Sequence, residues 1–363
     1  MAFPRADAEE TPIVKSFDDA DLRERTVDSR SSPAMKVALF RSLFRGREDV
    51  YALRFESQKS GRSGYQPDCA NEWVRGVCEK PKIKCTDCPH QRFHPVNDMT
   101  VTWHLQGHDD AGAPFVMGLY PMLLDETCFF LAVDFDKSNW RADANAFLDT
   151  CRLLGIPAAL ERSRSGNGAH VWIFFDRAIP ASLARRLGAY IITETMERRP
   201  EVGLRSYDRF FPNQDTLPKG GFGNLIALPL QKRPRDCENS VFLDSNLAPY
   251  PDQWAFLSTI QRIDRPTVER VLDKAEAAGR IVGVLVPSDG GRDMCTMANT
   301  AFAPSERFVD CRGYARHAGI SAGQRNLRRE GIATAGATQP ACSAGVIPES
   351  GILPGSSHAP ASL

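Results

Sequence analysis

Two aspartates, Asp134 and Asp136, end an apolar run that predicts a buried strand over residues 128–135. Side chains alternate along a strand, so both carboxylates leave the same face and lie side by side. Two neighbouring anions are costly to hold unless a cation lies between them. We therefore predict a metal site at the end of this strand.

A second segment, from Ser163 to His170, reads Ser-Arg-Ser-Gly-Asn-Gly-Ala-His and follows later in the chain. Its backbone amides, hydroxyls and guanidinium group suit an anion such as a triphosphate. Nucleotidyl transfer requires both a metal-binding acid pair and a phosphate-binding turn that faces it. The sequence thus predicts this chemistry.

Four cysteines fall within one short polar stretch, at Cys69, Cys78, Cys85 and Cys88. The Cys85-x2-Cys88 pair has the spacing of a chelating knuckle, and four thiolates close a structural Zn²⁺ site with no open position for substrate. The first pair is more widely spaced, which leaves open that His90 or His94 replaces one thiol. We predict one structural Zn²⁺ here.

Strands and helices alternate around the acid pair and the turn. We expect a strand over 128–135, a helix over 141–154 closed by Gly155, strands over 157–162 and 170–175, and a helix over 180–198. This alternation predicts a compact α/β or α+β catalytic domain. Outside it we expect a helix over 33–45, a strand over 50–55, a polar connection over 204–223, a strand over 224–230, and helices over 252–263 and 266–278.

Composition limits the class of protein. The chain has 363 residues with 45 Lys/Arg and 45 Asp/Glu, which argues against a generic polycation. Residues 161–235 nevertheless carry thirteen Lys/Arg against seven Asp/Glu, an excess that suits a polyanionic ligand. We find no run of eighteen apolar residues and no signal peptide, so we expect a cytoplasmic protein without a membrane span, whose cysteines are thiols or metal ligands.

Several longer phrases resemble a known family. The phrases LAVDFDKSNW, ALERSRSGNGAHVWIFF, SYDRFFPNQD and GGFGNLIALPLQ, together with the cysteine cluster, resemble the primase domain of the TOTE conflict systems, within the archaeo-eukaryotic primase superfamily. The resemblance covers residues 33–265. It implies an α+β fold with an archaeo-eukaryotic primase-like catalytic core of RRM-like βαβ elements. TOTE systems are mobile-element or defence loci that join a primase to a helicase and a nuclease.

The resemblance also implies metal ligands. The acids of the superfamily's first motif bind divalent metals, which points to Asp134 and Asp136 as ligands of Mg²⁺ or Mn²⁺, ions that prefer oxygen donors. Two metals would activate the attacking 3′-hydroxyl and stabilise the leaving pyrophosphate. The third motif supplies another metal-binding acid. Asp208 is our choice, and Asp215 stays open as the alternative.

The second motif implies the nucleotide contacts. Its Ser and His bind phosphates, which points to Ser165 and His170, with Ser163 and Arg164 as helpers. Gly166 and Gly168 let the backbone approach the phosphate closely. Lys219 and Asn224 flank a glycine-rich turn that can touch phosphate or template. Trp172 and Phe174 share the strand face of His170 and are interpreted as core, and Trp103, His104 and His108 receive no role.

Five regions are expected along the chain. They are a disordered leader (1–32), an N-terminal helix and strand region with the Cys₄ zinc knuckle (33–100), the primase catalytic core (101–265), a helical extension (266–290), and a poorly structured tail (291–363). The tail is mostly Ala, Gly, Ser, Thr and Pro near its end and cannot bury enough apolar surface to fold. We interpret it as a truncated or frame-shifted end.

The predicted function is a template-dependent nucleotidyltransferase, a primase or primase-polymerase. It would use a single-stranded nucleic-acid template and NTP or dNTP, and the sequence does not choose between these nucleotides or between priming and extension. The alternative is a catalytically impaired binding module that holds nucleic acid for a separate helicase or nuclease. A metal-dependent nuclease is disfavoured, because it has no need of the triphosphate turn.

Overall fold

Two antiparallel sheets form the scaffold of the computed structural model, which describes residues 26–57, 61–136, 138–201 and 203–280. All of these described residues belong to one compact unit. Most of the expected leader and the whole of the expected tail lie outside the described residues, as does the end of the helical extension.

The strands, in chain order, are β1 (Ala52–Glu56), β2 (Ser63–Pro67), β3 (Met117–Leu119), β4 (Thr127–Asp136), β5 (Ala159–Arg162), β6 (Gly168–Pro180), β7 (Tyr207–Phe211), β8 (Ile226–Ala227), β9 (Val241–Leu243) and β10 (Arg262–Ile263). The helices are α1 (Pro33–Leu43), α2 (Asp98–Gln106), α3 (Trp140–Leu153), α4 (Ala181–Arg198), α5 (Lys232–Arg235), α6 (Gln253–Ser258) and α7 (Arg265–Ala277). None of these helices is long and apolar enough to cross a membrane.

The larger sheet carries the predicted motifs. Its strands lie in the order β7-β4-β6-β5-β9, all antiparallel, and β10 adds in parallel to β6. From β4 to β7 the chain therefore runs β-α-β-β-α-β, the split βαβ arrangement. The smaller sheet has the order β2-β1-β3-β8. The expectation of a mixed α and β fold is confirmed, with antiparallel pairing throughout the two strand paths.

Burial on both faces of the larger sheet explains its apolar central strands. On one face α3 and α4 pack against β4, where Phe147 meets Phe135 at 5.7 Å between ring centroids. On the other face Phe44, which ends α1, packs edge-on against Trp172 and Phe174 at 5.1 and 5.6 Å. Trp172 is 0% and Phe174 is 2% exposed, so both belong to the core as interpreted from the sequence.

Several elements differ from the sequence predictions. The helix expected over 252–263 ends at Ser258, because Asp264 must be extended to cap α7 and Ile263 is buried beside β6. The strand expected over 224–230 is reduced to Ile226–Ala227. The polar connection over 204–223 contains the edge strand β7. Asp208 and Arg209 are adjacent polar residues in β7, so the strand lacks the alternation of apolar and polar residues that predicts a strand. Helices α2 and α5 and strands β2, β3 and β9 have no counterpart among the sequence predictions.

Candidate active site

Three aspartates meet at the end of the larger sheet. One carboxylate oxygen from each of Asp134, Asp136 and Asp208 lies within 4.8 Å of the others, and among the described residues no other group of three metal-ligand side chains meets this distance. The structure thus brings the preferred third acid to the predicted pair. Asp215 instead forms an ion pair with Arg185 of α4.

A bulge in β7 places the third acid. Asp134 pairs with Arg209, but Phe135 pairs with Tyr207, so Asp208 is an extra residue on β7. In an unbroken antiparallel ladder Asp208 would lie opposite Phe135 and share its buried face. The bulge lets Asp208 turn to the face of Asp134, as bulges beside functional sites often do.

A buried carboxylate anchors the start of β7. Asp143 of α3 is 2% exposed, and its Oδ2 accepts hydrogen bonds from the backbone N (2.9 Å) and the Oγ (2.6 Å) of Ser206. The carbonyl of Ser206 in turn accepts the backbone N–H of Asp136 at 2.7 Å. This chain of bonds ties α3 to the acid-bearing ends of β4 and β7. No sequence pattern predicts the buried position of Asp143, because an acid in the first turn of a helix usually faces solvent.

The electrostatics of the cluster favour a hard cation. Burial raises the pKa of Asp134 to about 6, with Asp136 and Asp208 adding to the rise and His170 opposing it. Among the nearby cations, the exposed Arg209 donates from Nε to Asp208 Oδ2 at 2.6 Å, and this bond raises the pKa of Arg209. Three carboxylates without a thiolate form an oxygen donor set that fits Mg²⁺ or Mn²⁺.

The predicted phosphate turn connects β5 to β6 and abuts the acids. Ser163 Oγ and Ser165 Oγ are 3.1 Å apart, and the turn closes with Ser163 N donating to the carbonyl of Gly168 at 2.9 Å. A Cβ on Gly168 would lie 2.7 Å from Asp136 Oδ1, so the glycine allows β6 to approach the acid pair. Gly166 has φ of 76°, a backbone conformation that favours glycine.

His170 stands between the acid cluster and a second buried carboxylate. It is paired across the sheet with Asp134 on β4 and with Glu161 on β5. Its Nε2 is 3.7 Å from Asp134 Oδ1, and its Nδ1 is 3.0 Å from Glu161 Oε2. Burial by itself would lower the pKa of His170, but Glu161, Asp134 and Asp136 together raise it to about 9. Glu161 was not singled out from the sequence.

The remaining predicted nucleotide contacts are more scattered. Arg164 leaves the turn toward the smaller sheet and forms an ion pair with Glu56 at 3.5 Å. Lys219 is exposed on the loop that follows β7. Asn224 closes that loop, since its Nδ2 donates to the carbonyl of Phe210 (2.9 Å) and its Oδ1 accepts from the backbone N of Asn213 (3.2 Å).

The four cysteines lie in a segment of turns over residues 69–94, here called the cysteine knob. Cys69, Cys78, Cys85 and Cys88 are half-buried and line one small cavity with His90. No three of these ligand atoms lie within 4.8 Å of one another, so the thiols share a cavity without the spacing of a closed tetrahedral site. His94 is turned to Asp68, with Nδ1 2.8 Å from Oδ2.

His104 has a structural role. It is fully buried, its Nε2 lies 2.9 Å from the carbonyl of Pro229, and its Nδ1 accepts from the backbone N of Met117 at 3.1 Å. Burial lowers its pKa to about 4, so the ring stays neutral. It therefore links α2 to β3 and to the segment after β8.

Comparison with known proteins gives one family. Residues 35–271 match the family described as "TOTE conflict system, Archaeo-Eukaryotic Primase domain", which confirms the resemblance in the sequence phrases. Among solved structures the chain is similar to the "Polymerase Domain from Mycobacterium tuberculosis Ligase D in complex with DNA", at 12% identity and a TM-score of 0.33, over 68% of this chain and 90% of that chain. No curated protein matches the chain.

Proposed function

Because this chain belongs to the archaeo-eukaryotic primase domain family of TOTE conflict systems, we propose that it is a template-dependent nucleotidyltransferase, a primase or primase-polymerase. The observation that carries this proposal is the meeting of three carboxylates with a Ser- and Gly-rich turn at one end of one sheet. Carboxylates alone would equally serve a nuclease. The adjoining turn is what favours a triphosphate substrate.

In this mechanism Asp134, Asp136 and Asp208 would hold divalent metal ions. When bound, such ions would supply positive charge to the triphosphate and lower the pKa of the attacking 3′-hydroxyl. The 3′-hydroxyl loses its proton to solvent, and its oxygen forms a bond to the α-phosphorus of the nucleotide. The bond from that phosphorus to the bridging oxygen breaks, and pyrophosphate leaves. His170 presents Nε2 to the phosphates from the strand beside Asp134, while Ser165 offers an exposed hydroxyl from the turn.

The template and partners follow from the same proposal. A single strand of nucleic acid must pass the acid cluster, and the basic excess over residues 161–235 supports its phosphates. We also propose a separate helicase or nuclease partner, as the resemblance to TOTE conflict systems implies, and a cytoplasmic location. We also propose that the cysteine knob holds one structural Zn²⁺ once its four thiolates draw together.

Incorporation of labelled NTP or dNTP on a single-stranded template, with Mg²⁺ or Mn²⁺, tests the proposal. We expect Asp208→Asn to abolish incorporation and the matched variant Asp215→Asn to retain it, because Asp215 pairs with Arg185 away from the cluster. Incorporation that survives Asp208→Asn in folded protein refutes the site. Template binding without any incorporation by the unaltered protein supports the binding-module alternative instead.

A further inference from the structure

Glu161 is a buried acid with an unusual set of partners. It is 2% exposed on β5, and its Oε2 accepts both the Trp172 Nε1–H (2.9 Å) and a contact from His170 Nδ1 (3.0 Å). Its other oxygen, Oε1, lies 3.5 Å from Ser240 Oγ. Within the described residues no Lys or Arg forms an ion pair with it.

Burying a carboxylate this deeply is costly unless its partners require the charge. Trp172 and Ser240 are neutral donors that an amide oxygen would satisfy equally well. The imidazole of His170 is the partner that gains from a full negative charge. The indole N–H also fixes the carboxylate, which therefore holds the imidazole in one orientation.

We propose that Glu161 is a positioning residue for nucleotide transfer, which holds His170 Nδ1 so that Nε2 faces the phosphates of the bound nucleotide. The geometry matches this role, since Nδ1 is engaged at 3.0 Å and Nε2 points to Asp134 Oδ1 at 3.7 Å. The inference rests on the proposed function, because it takes the nucleotide to lie against the acid cluster. It adds a residue from β5 that acts through the histidine.

The test measures nucleotide affinity, template affinity and melting temperature on the same proteins. We expect Glu161→Gln to weaken nucleotide binding about tenfold and Glu161→Ala by up to about a hundredfold, with template affinity unchanged. The matched control is Glu194→Gln, which alters another acid of 2% exposure that pairs with Arg198 and Arg280 instead. This control should leave nucleotide affinity unchanged whatever its melting temperature.

A double variant separates positioning from mere stability. If Glu161 acts through His170, Glu161→Gln should cost no further nucleotide affinity in a His170→Ala background. Additive losses, or a lower melting temperature with nucleotide affinity unchanged, overturn the inference. A protein that binds nucleotide but never incorporates it refutes the proposed function alone, because the affinity ratios still decide the role of Glu161. A protein that binds no nucleotide overturns both.

A second, independent feature is an exposed tryptophan on the cysteine knob. Trp73 is 66% exposed and has φ of 57°, and its neighbour Val74 is 43% exposed. A left-handed backbone is unfavourable for a bulky side chain, and an exposed indole gains little from burial to offset this. Trp73 has an unfavourable backbone conformation and contributes little to packing. A role in binding therefore explains this residue better than a role in stability.

The surroundings of Trp73 favour nucleic acid over an apolar partner. Lys80 Nζ lies 5.8 Å from the centroid of the indole ring and forms an ion pair with Glu72 at 2.8 Å. The exposed charges of the knob are mostly positive, since Glu79 and Asp87 are outnumbered by Arg75, Lys82, Lys84 and Arg92. The knob also packs against the loop that follows β7, where Phe93 meets Phe222 at 5.3 Å between ring centroids. This contact ties the knob to the loop that leads from Asp208.

We infer that the cysteine knob binds single-stranded nucleic acid, with one base stacked on Trp73 and the phosphates near its lysines. The inference rests on the proposed function for its choice of partner. An aromatic platform flanked by cations is the usual means of binding single strands without sequence preference. Stacking of one base is worth about fivefold or more in affinity.

Substitution of Trp73 by glycine gives opposite predictions for binding and for structure. We expect Trp73→Gly to weaken binding of a labelled single-stranded oligonucleotide at least fivefold while the melting temperature stays level or rises, because glycine accepts the positive φ. Trp73→Phe should keep most of the affinity. The matched control is Leu153→Ala, which alters a side chain of 67% exposure at the end of α3 and should change neither quantity.

Unchanged oligonucleotide affinity in Trp73→Gly overturns this inference. This holds also if the variant loses a protein partner or no longer forms a dimer, because Trp73 would then bind protein and not nucleic acid. Failure of the proposed function looks different. The unaltered protein would then bind the oligonucleotide through Trp73 yet incorporate no nucleotide.

Discussion

A single methyl group on Gly168 tests whether the turn and the acid pair form one site. Gly168 pairs with Asp136 across β4 and β6, and a Cβ there would lie 2.7 Å from Asp136 Oδ1 and 2.8 Å from the carbonyl oxygen of Phe135. Both distances are shorter than real Cβ atoms show, and one neighbour is backbone that cannot rotate away. Gly168→Ala must therefore push β6 away from β4 at the acids.

The size of the effect follows from this overlap. Overpacking of this kind costs about 1–3 kcal/mol, which lowers the melting temperature of a domain this large by roughly 2–10 °C. Displacement of catalytic groups by about 1 Å costs about a hundredfold in rate. We therefore expect nucleotide incorporation to fall by about tenfold to a hundredfold, with weaker Mn²⁺ binding measured by titration calorimetry.

The matched control is Gly203→Ala. Its Cβ would meet nothing closer than the side chain of Arg205 at 3.4 Å, and its φ is not positive, so activity and stability should stay level. Full incorporation and unchanged Mn²⁺ affinity in folded Gly168→Ala would refute the close approach of the turn to the acids. Equal losses in both variants would show a general sensitivity of the fold instead.

Three further predictions concern the supports of the site. Asp143→Ala should lower the free energy of unfolding by about 3–5 kcal/mol, because two hydrogen bonds to a buried carboxylate are lost, and it should weaken Mn²⁺ binding through Asp208. The control Asp149→Ala removes a half-exposed acid of α3 that pairs with Arg152, and it should leave Mn²⁺ binding unchanged and change stability by less than about 1 kcal/mol. His104 is neutral in the folded protein, because its pKa is about 4 there against 6.5 in the unfolded chain. The stability that it supplies is therefore fully present above pH 6.5 and is lost as the pH falls toward 4. Between pH 7 and pH 5, denaturant unfolding should show the wild type losing about 2 kcal/mol more stability than His104→Gln. Protein purified without added zinc should contain about one equivalent of Zn²⁺, and a zinc content near zero would contradict the cysteine prediction.

The parts of the site that were predictable are those fixed by local pattern. Alternation along one strand places Asp134 and Asp136 on one face, and a turn between two strands places His170 opposite them. The choice between Asp208 and Asp215 was not predictable, because it depends on a one-residue bulge and on a distant arginine in α4. Bulges leave no periodic signal in a short edge strand.

The supporting carboxylates were hidden for a related reason. Glu161 and Asp143 look like surface charges in the sequence, yet both are 2% exposed because their partners come from other elements, and Ser206 is 63 residues from Asp143. Glu161 on β5 contacts His170, and Asp143 on α3 binds the start of the bulged strand β7. In the sheet, β5 and β7 lie on either side of the pair β4 and β6. Strand alternation selects the face that we propose to bind metal and nucleotide. We expect the orientations of His170 and Asp208 to depend on these two buried acids. Substitutions of Glu161 and Asp143 should therefore alter activity without changing a proposed ligand.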